Sequence, residues 1–198
     1  VCGKQPRTAE LMDELVARLE DLAAERPPTR ELGRFVTLSL FLTLTNANFD
    51  NERLMSAVAE AEKRLGRVAT RRKPYAFTEP DADARSLKEL VLFGLKGISA
   101  YCHHAAMFGR EDEAIYAFIF KALKAMGEKK TVAELTDLVL ECGHTAVLAM
   151  ALLDAANTAA YGAPSVTKVK LGVGTRPGIL VSGHDLRDLE ELLEQTEG

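Results

Sequence analysis

Residues 168–198 read KVKLGVGTRPGILVSGHDLRDLEELLEQTEG, and two kinds of structure meet in this stretch. Ile179-Leu180-Val181 is a short apolar run of strand type. Ser182-Gly183 punctuates it, and Asp185 to Gln195 then carries leucines at 186, 189, 192 and 193, the spacing of an amphipathic helix. The pattern predicts a strand handing over to a helix, with His184 at the elbow. In open α/β sheets ligands bind beyond the carboxyl ends of the strands, so a histidine at such an elbow is a candidate site residue. One strand and one helix do not make a sheet. Residues 165–198 are therefore expected to be the start of a truncated Rossmann-like α/β domain, and the chain to be a piece of something larger.

Upstream the pattern is helical and it repeats. Thr8 is placed to cap a helix to about Glu25, with leucines at 11, 15, 19 and 22, stopped by Pro27 and Pro28. Thr29 starts a second helix through Phe35, Leu38, Phe41 and Leu42, and Asp50 caps a third that ends at Gly66. After a basic linker the plan returns. Ser86-Leu-Lys-Glu89 and Thr131-Val-Ala-Glu134 both fit the capping box, in which each side chain satisfies the other's free amide. The first opens a helix to Phe108 and Gly109, and the second opens a long helix to about Asn157. Between them a helix is expected from about Glu111 to Met126, closed by Gly127. Helix starts recur about eighty residues apart, as in a duplicated three-helix unit. The expected fold is mainly α: a helical domain over residues 1–160, made of two three-helix bundles (about 8–66 and 86–157), then the first strand and helix of the α/β domain.

Composition narrows the function classes. The chain has 198 residues, 47% of them hydrophobic, enough for a sizeable core. A net charge of −4 gives no electrostatic case for nucleic acid. No uninterrupted run of about 18 apolar residues is found, so no membrane span is expected. The three cysteines, Cys2, Cys102 and Cys142, are too few for a disulfide scaffold and fit a reducing, cytoplasmic setting. Cys102 and Cys142 lie inside helical patterns and read as small buried hydrophobes. Cys2 stands outside any periodic segment, where packing gives little reason for a cysteine.

Other residues admit more than one role. Lys63-Arg64, Arg67 and Arg71-Arg72-Lys73 form a basic cluster, read either as a solvated linker or as a docking patch for an acidic redox partner. Gly94 and Gly97 lie about one turn apart inside a helix, which fits close helix–helix approach or a nearby cofactor. His103 and His104 are adjacent, so on a regular helix they point about a hundred degrees apart and do not serve one metal. Glu141 and His144 have the spacing of a di-iron helix pair, but the only companion carboxylate on the second helix is Glu31 near its start, too little for a bundle site.

Several stretches converge on one family. VCGK (1–4), LTLTNANFDNERL (42–54), LFGLKGISAYCHHA (92–105), LVLECG (138–143), LLDAANTAAYGAP (152–164) and GILVSGHDLRDLEELLEQTEG (178–198) resemble the hybrid cluster, or prismane, family of hydroxylamine reductases. Carbon monoxide dehydrogenase is a more distant relative, and LKGISAY with the final stretch looks like the hydroxylamine reductase branch.

The resemblance implies paired three-helix bundles leading into Rossmann-like domains, together with two metal centres. One is an iron–sulfur cubane held by N-terminal cysteines, to which Cys2 would contribute. The other is a hybrid iron–sulfur–oxygen cluster with His184 among its ligands. Thiolates suit iron–sulfur cubanes, and imidazole suits an iron with oxygen-type ligands. The implied activity is reduction of hydroxylamine, and in some relatives nitric oxide, as a defence against nitrosative stress, with electrons from a redox partner protein. This chain departs from the family in two ways. Three cubane cysteines are absent upstream of Cys2, and LEDLAAERPP (19–28) stands where relatives carry an LKG-type sequence. The first bundle is thus expected to be shortened or differently packed, and the chain alone to be inactive. A metal-free helical interaction module is the competing expectation.

Overall fold

A computed structural model describes residues 3–183 and 186–197. It contains helices α1 (Pro6–Glu25), α2 (Arg30–Leu42), α3 (Asn51–Leu65), α4 (Tyr75–Thr78), α5 (Ala82–Met107), α6 (Glu113–Met126), α7 (Val132–Tyr161) and α8 (Leu186–Thr196), and no strand among the described residues. By their internal contacts the residues divide into two units, Val1–Ala156 and Asn157–Gly198.

Most helix ends follow local chemistry. The Thr29 hydroxyl accepts from the Leu32 amide, and the Asp50 carboxylate accepts from that of Glu52. Gly66 closes α3 at φ +77°, a conformation that costs glycine little. The box at the start of α7 forms in both directions. The Thr131 amide donates to Glu134 Oε2 at 2.8 Å, and the Glu134 amide donates to Thr131 Oγ1 at 3.3 Å.

Two expected starts are corrected. α1 begins two residues before Thr8, because Pro6 has its φ preset for a first helical turn and lacks an amide that would need a partner. Thr8 instead lies buried and donates to Asn51 Oδ1 at 2.8 Å, tying α1 to the start of α3. α5 begins at Ala82, with the Asp81 carboxylate accepting from the Ala84 amide at 2.8 Å. Ser86 sits a turn inside and bonds back to the Ala82 carbonyl, so the earlier aspartate takes the capping role.

The first unit has one core, to which α1, α2, α3, α5, α6 and α7 all contribute. α1 packs chiefly on α3, whereas α5 packs chiefly on α2, and α1 also lies against α6. The helices thus interleave instead of forming two self-contained three-helix bundles. Close approach is built in at small residues. A Cβ on Gly94 of α5 would lie 2.6 Å from Cys142 Sγ of α7, and one on Gly33 of α2 would lie 2.5 Å from the Tyr116 ring of α6. Gly97 has open space instead, so it is not a packing contact.

The basic linker turns out to be neutralised. Arg71 reaches Glu20, Asp21 and the Ala17 carbonyl, each at 2.7 Å, and stacks on the Tyr75 ring. Arg67 pairs with Glu25, Arg64 with Glu60 and Glu31, and buried Arg18 bonds Glu14, Glu62 and the Arg71 carbonyl. These pairs strap residues 66–75 across α1 and α3, so most of the cluster's charge serves the fold and little is left for a docking patch.

α7 also departs from expectation. It is long and apolar enough, by length and composition, to cross a membrane. Scattered Gly, Thr and His residues break any strict apolar run, yet the mean hydropathy over its most apolar 18 residues stays high.

In the second unit, Ile179-Leu180-Val181 is exposed and irregular, so the expected strand is not formed. A strand satisfies its amides by pairing, and no second strand is present among the described residues. The amphipathic helix does form, as α8, with its leucines at least partly exposed. The Tyr161 hydroxyl donates to Glu190 at 2.8 Å, and Arg187 pairs with Glu190 and Glu191.

Candidate functional site

The two ligand candidates, Cys2 and His184, lie outside the described residues, while the segments beside them are described. Gly3 turns at φ +75°, and Lys4 follows, its ammonium donating to the Asn48 carbonyl and lying 4.0 Å above the Phe49 ring. Asn48 is itself buried. Its side chain donates to the Asp50 carbonyl at 3.1 Å and accepts from the Asp50 amide at 3.4 Å, an Asx-type turn that fixes the loop before α3. The TNANFDN sequence therefore builds a rigid bracket that holds the segment following Cys2. Its role could be anticipated only as a turn, because the partner lies 44 residues away.

α5 places polar and ring-bearing side chains against the end of α2. The rings of His103 and His104 both lie 5.3 Å from that of Phe41 on α2, one stacked and one edge-on. Sharing an aromatic neighbour is a packing role, in keeping with adjacent positions on a helix. Lys96 donates to the Thr43 carbonyl at 3.3 Å, and burial holds its pKa below the usual lysine value. Across from it, burial raises the Asp13 pKa, with the Lys96 and Lys73 charges opposing.

The remaining cysteines behave as hydrophobes. Cys102 and Cys142 are free and buried, and burial pushes their thiols up to about 12 and about 11. Both pack in the core as small hydrophobes. Glu141 places both carboxylate oxygens on Lys121, at 2.8 and 2.6 Å, which uses it in an ion pair beside exposed His144. Among the described residues no group of three or more His, Cys, Asp or Glu side chains is placed to hold a metal ion.

Near His184, Gly183 adopts φ +144°, a conformation that side-chain-bearing residues rarely reach, and Ser182 and Gly183 are exposed. A four-thiolate cubane needs more cysteines than Cys2 alone, and the other two are committed to the core. The cysteines and His184 of this chain therefore do not by themselves make up the ligand set of either cluster.

The described residues thus give a helical first unit, with Cys2 in VCGK and His184 after Gly183 outside them. The chain belongs to the Prismane/CO dehydrogenase family, whose model matches residues 1–198. It is 44% identical to a hydroxylamine reductase of Chlorobaculum tepidum, over all of this chain and 42% of that relative. It is also 44% identical to a hydroxylamine reductase of Halothermothrix orenii and 41% identical to one of Desulfovibrio desulfuricans, with 43% of each relative covered. The chain thus spans about two fifths of the length of these curated relatives. The alignment with the first runs over 232 positions, more than the chain's 198, so that relative carries internal residues this chain lacks.

Proposed function

We propose that this chain is the N-terminal part of an iron–sulfur hydroxylamine reductase, a cytoplasmic oxidoreductase that converts hydroxylamine, two electrons and two protons to ammonia and water. The observation that carries this reading is full coverage of the chain by relatives that bear that name. Residues 1–160 form its helical domain, and residues 165–198 open an α/β domain. Cys2 supplies one thiolate to a cubane cluster, and His184 supplies an imidazole to a hybrid iron–sulfur–oxygen cluster. When bound, the clusters would supply electron transfer and an iron position open to a small substrate such as hydroxylamine or nitric oxide. This chain's own part is to hold ligands. The Lys4–Asn48 bracket fixes the backbone after Cys2, and Gly183 lets the chain turn immediately before His184. A redox partner protein delivers the electrons, and the isolated chain, lacking most of the ligands, is inactive.

The test uses the full-length parent protein. His184→Ala is expected to abolish hydroxylamine-dependent oxidation of a reduced viologen while the helical circular dichroism is retained. Cys2→Ser should slow electron delivery and lower the cluster's iron content, since a hydroxyl is a poor ligand for a soft cluster. Unchanged turnover and iron content in both variants would refute the assignments, and would favour a metal-free helical module.

A further inference from the structure

α7 presents two faces, one packed and one open. Its buried residues, Leu135, Leu138, Cys142, Thr145, Ala149 and Ala156, form a single stripe facing the core. The opposite side is equally apolar yet open. Leu140 is 68% exposed, Val147 57% and Met150 43%, and no charged residue occurs between Glu141 and Asp154. Amphipathic helices present a polar back to water, and a helix apolar on all sides is one covered on all sides. α1, by contrast, is covered on all sides over residues 15–20, where its charged Arg18 and Glu20 are paired.

What covers this face is indicated by its relief and by the size of the relatives. Gly143, Ala151 and Ala155 lie on one row of every fourth position, interrupted by Val147, and all are exposed. A Cβ on Gly143 would meet nothing within 4 Å. Rows of small residues admit close approach of another backbone and so favour a protein element over lipid chains. The relatives have more than half their length outside the region matched here. We infer that the outer face of α7, from Leu140 to Ala155, is an intramolecular docking surface for the polypeptide that follows residue 198 in the parent protein. The apolar back of α7 is then a seam between the helical domain and the remainder. This rests on the reading of the chain as the N-terminal part of a protein of the relatives' length.

Anaerobic carbene footprinting of the full-length protein, with a photolysed water-soluble diazirine, tests the inference without altering the sequence. Labelling of residues 140–155 is compared with labelling of the same residues in urea. The expected result is at least a fivefold reduction in the native protein, retained on dilution to a monomer as judged by light scattering. A reduction below fivefold overturns the inference, because the face is then open. Protection lost on dilution overturns it in favour of a second copy. Protection that appears only when phosphatidylethanolamine–phosphatidylglycerol vesicles are added overturns it in favour of a lipid surface. Hydroxylamine turnover measured on the same sample separates the two readings. Turnover without protection removes only the docking surface, and protection without turnover removes only the proposed activity.

Discussion

α1 and α7 are built by opposite strategies. In α1, eleven of twenty residues are buried, and its leucines at 11, 15, 19 and 22 sit almost wholly out of water. In α7, the more apolar helix, only six of thirty residues are buried. Burial therefore does not follow hydrophobicity along this chain. It follows how many neighbours each helix has been given. α1 contacts α2, α3 and α6, whereas α7 meets the unit along one stripe, at places such as the Gly94–Cys142 contact and the Lys121–Glu141 ion pair.

The contrast is most exposed to leucine truncation. Leu19→Ala in the 198-residue chain should cost about 2–5 kcal/mol, as a buried leucine leaves a cavity that relaxes only in part. Leu140→Ala should stay within about 0.5 kcal/mol, as expected for a solvent-facing site. Urea melts followed by circular dichroism compare the two, and equal costs would mean that α7 is already covered. The next effect is at the α5–α7 contact. Gly94→Ala should cost about 1–3 kcal/mol through overpacking against Cys142. Adding Cys142→Ala should recover part of that loss, and strict additivity in the double-mutant cycle would break the account of this contact.

A smaller effect is expected at the α7 cap. Thr131→Ala should cost about 1 kcal/mol and fray the first turn, read by amide hydrogen exchange at residues 132–135. The subtlest concerns pH. The Glu111 side chain is only 3% exposed and accepts from Arg34, Arg30 and Tyr116, the first two holding its pKa down to about 2. Because the folded pKa lies below the ordinary carboxylate value of 4.5, the folded state binds fewer protons than the unfolded state between these limits. Its contribution is full above the unfolded value and is lost as pH falls towards 2. Glu111→Gln should therefore flatten the acid limb of the stability profile, and an unchanged limb would remove this clamp from the account.

What was legible in the sequence divides by the range of the interaction. Thr29, Asp50, Gly66 and the Thr131–Glu134 box act on amides within a turn, so their residue types sufficed. Ser86 misled because its pattern fits a cap, while Asp81, five residues earlier, had already closed the first turn. The interleaving of α2 with α5 was illegible, since periodicity names a helix's apolar face but not its partner. The same holds for the linker arginines, whose spacing suggested a free basic patch until Glu20, Asp21 and Glu25 were brought opposite them. Cys2 and His184 were singled out by isolation and by family resemblance. The Asn48 bracket, which depends on a contact distant in sequence, went unnoticed as a support for that end of the chain.

The strap of residues 66–75 has a practical consequence for anyone trying to dissect this protein. A protease that nicks the chain near Lys73 would cut one covalent link but leave α2 docked on α5 and α1 docked on α6. The two pieces should then elute together in native buffer and part only in denaturant. Expressed separately, neither half would carry a complete interior, yet mixing them should restore the fold by fragment complementation.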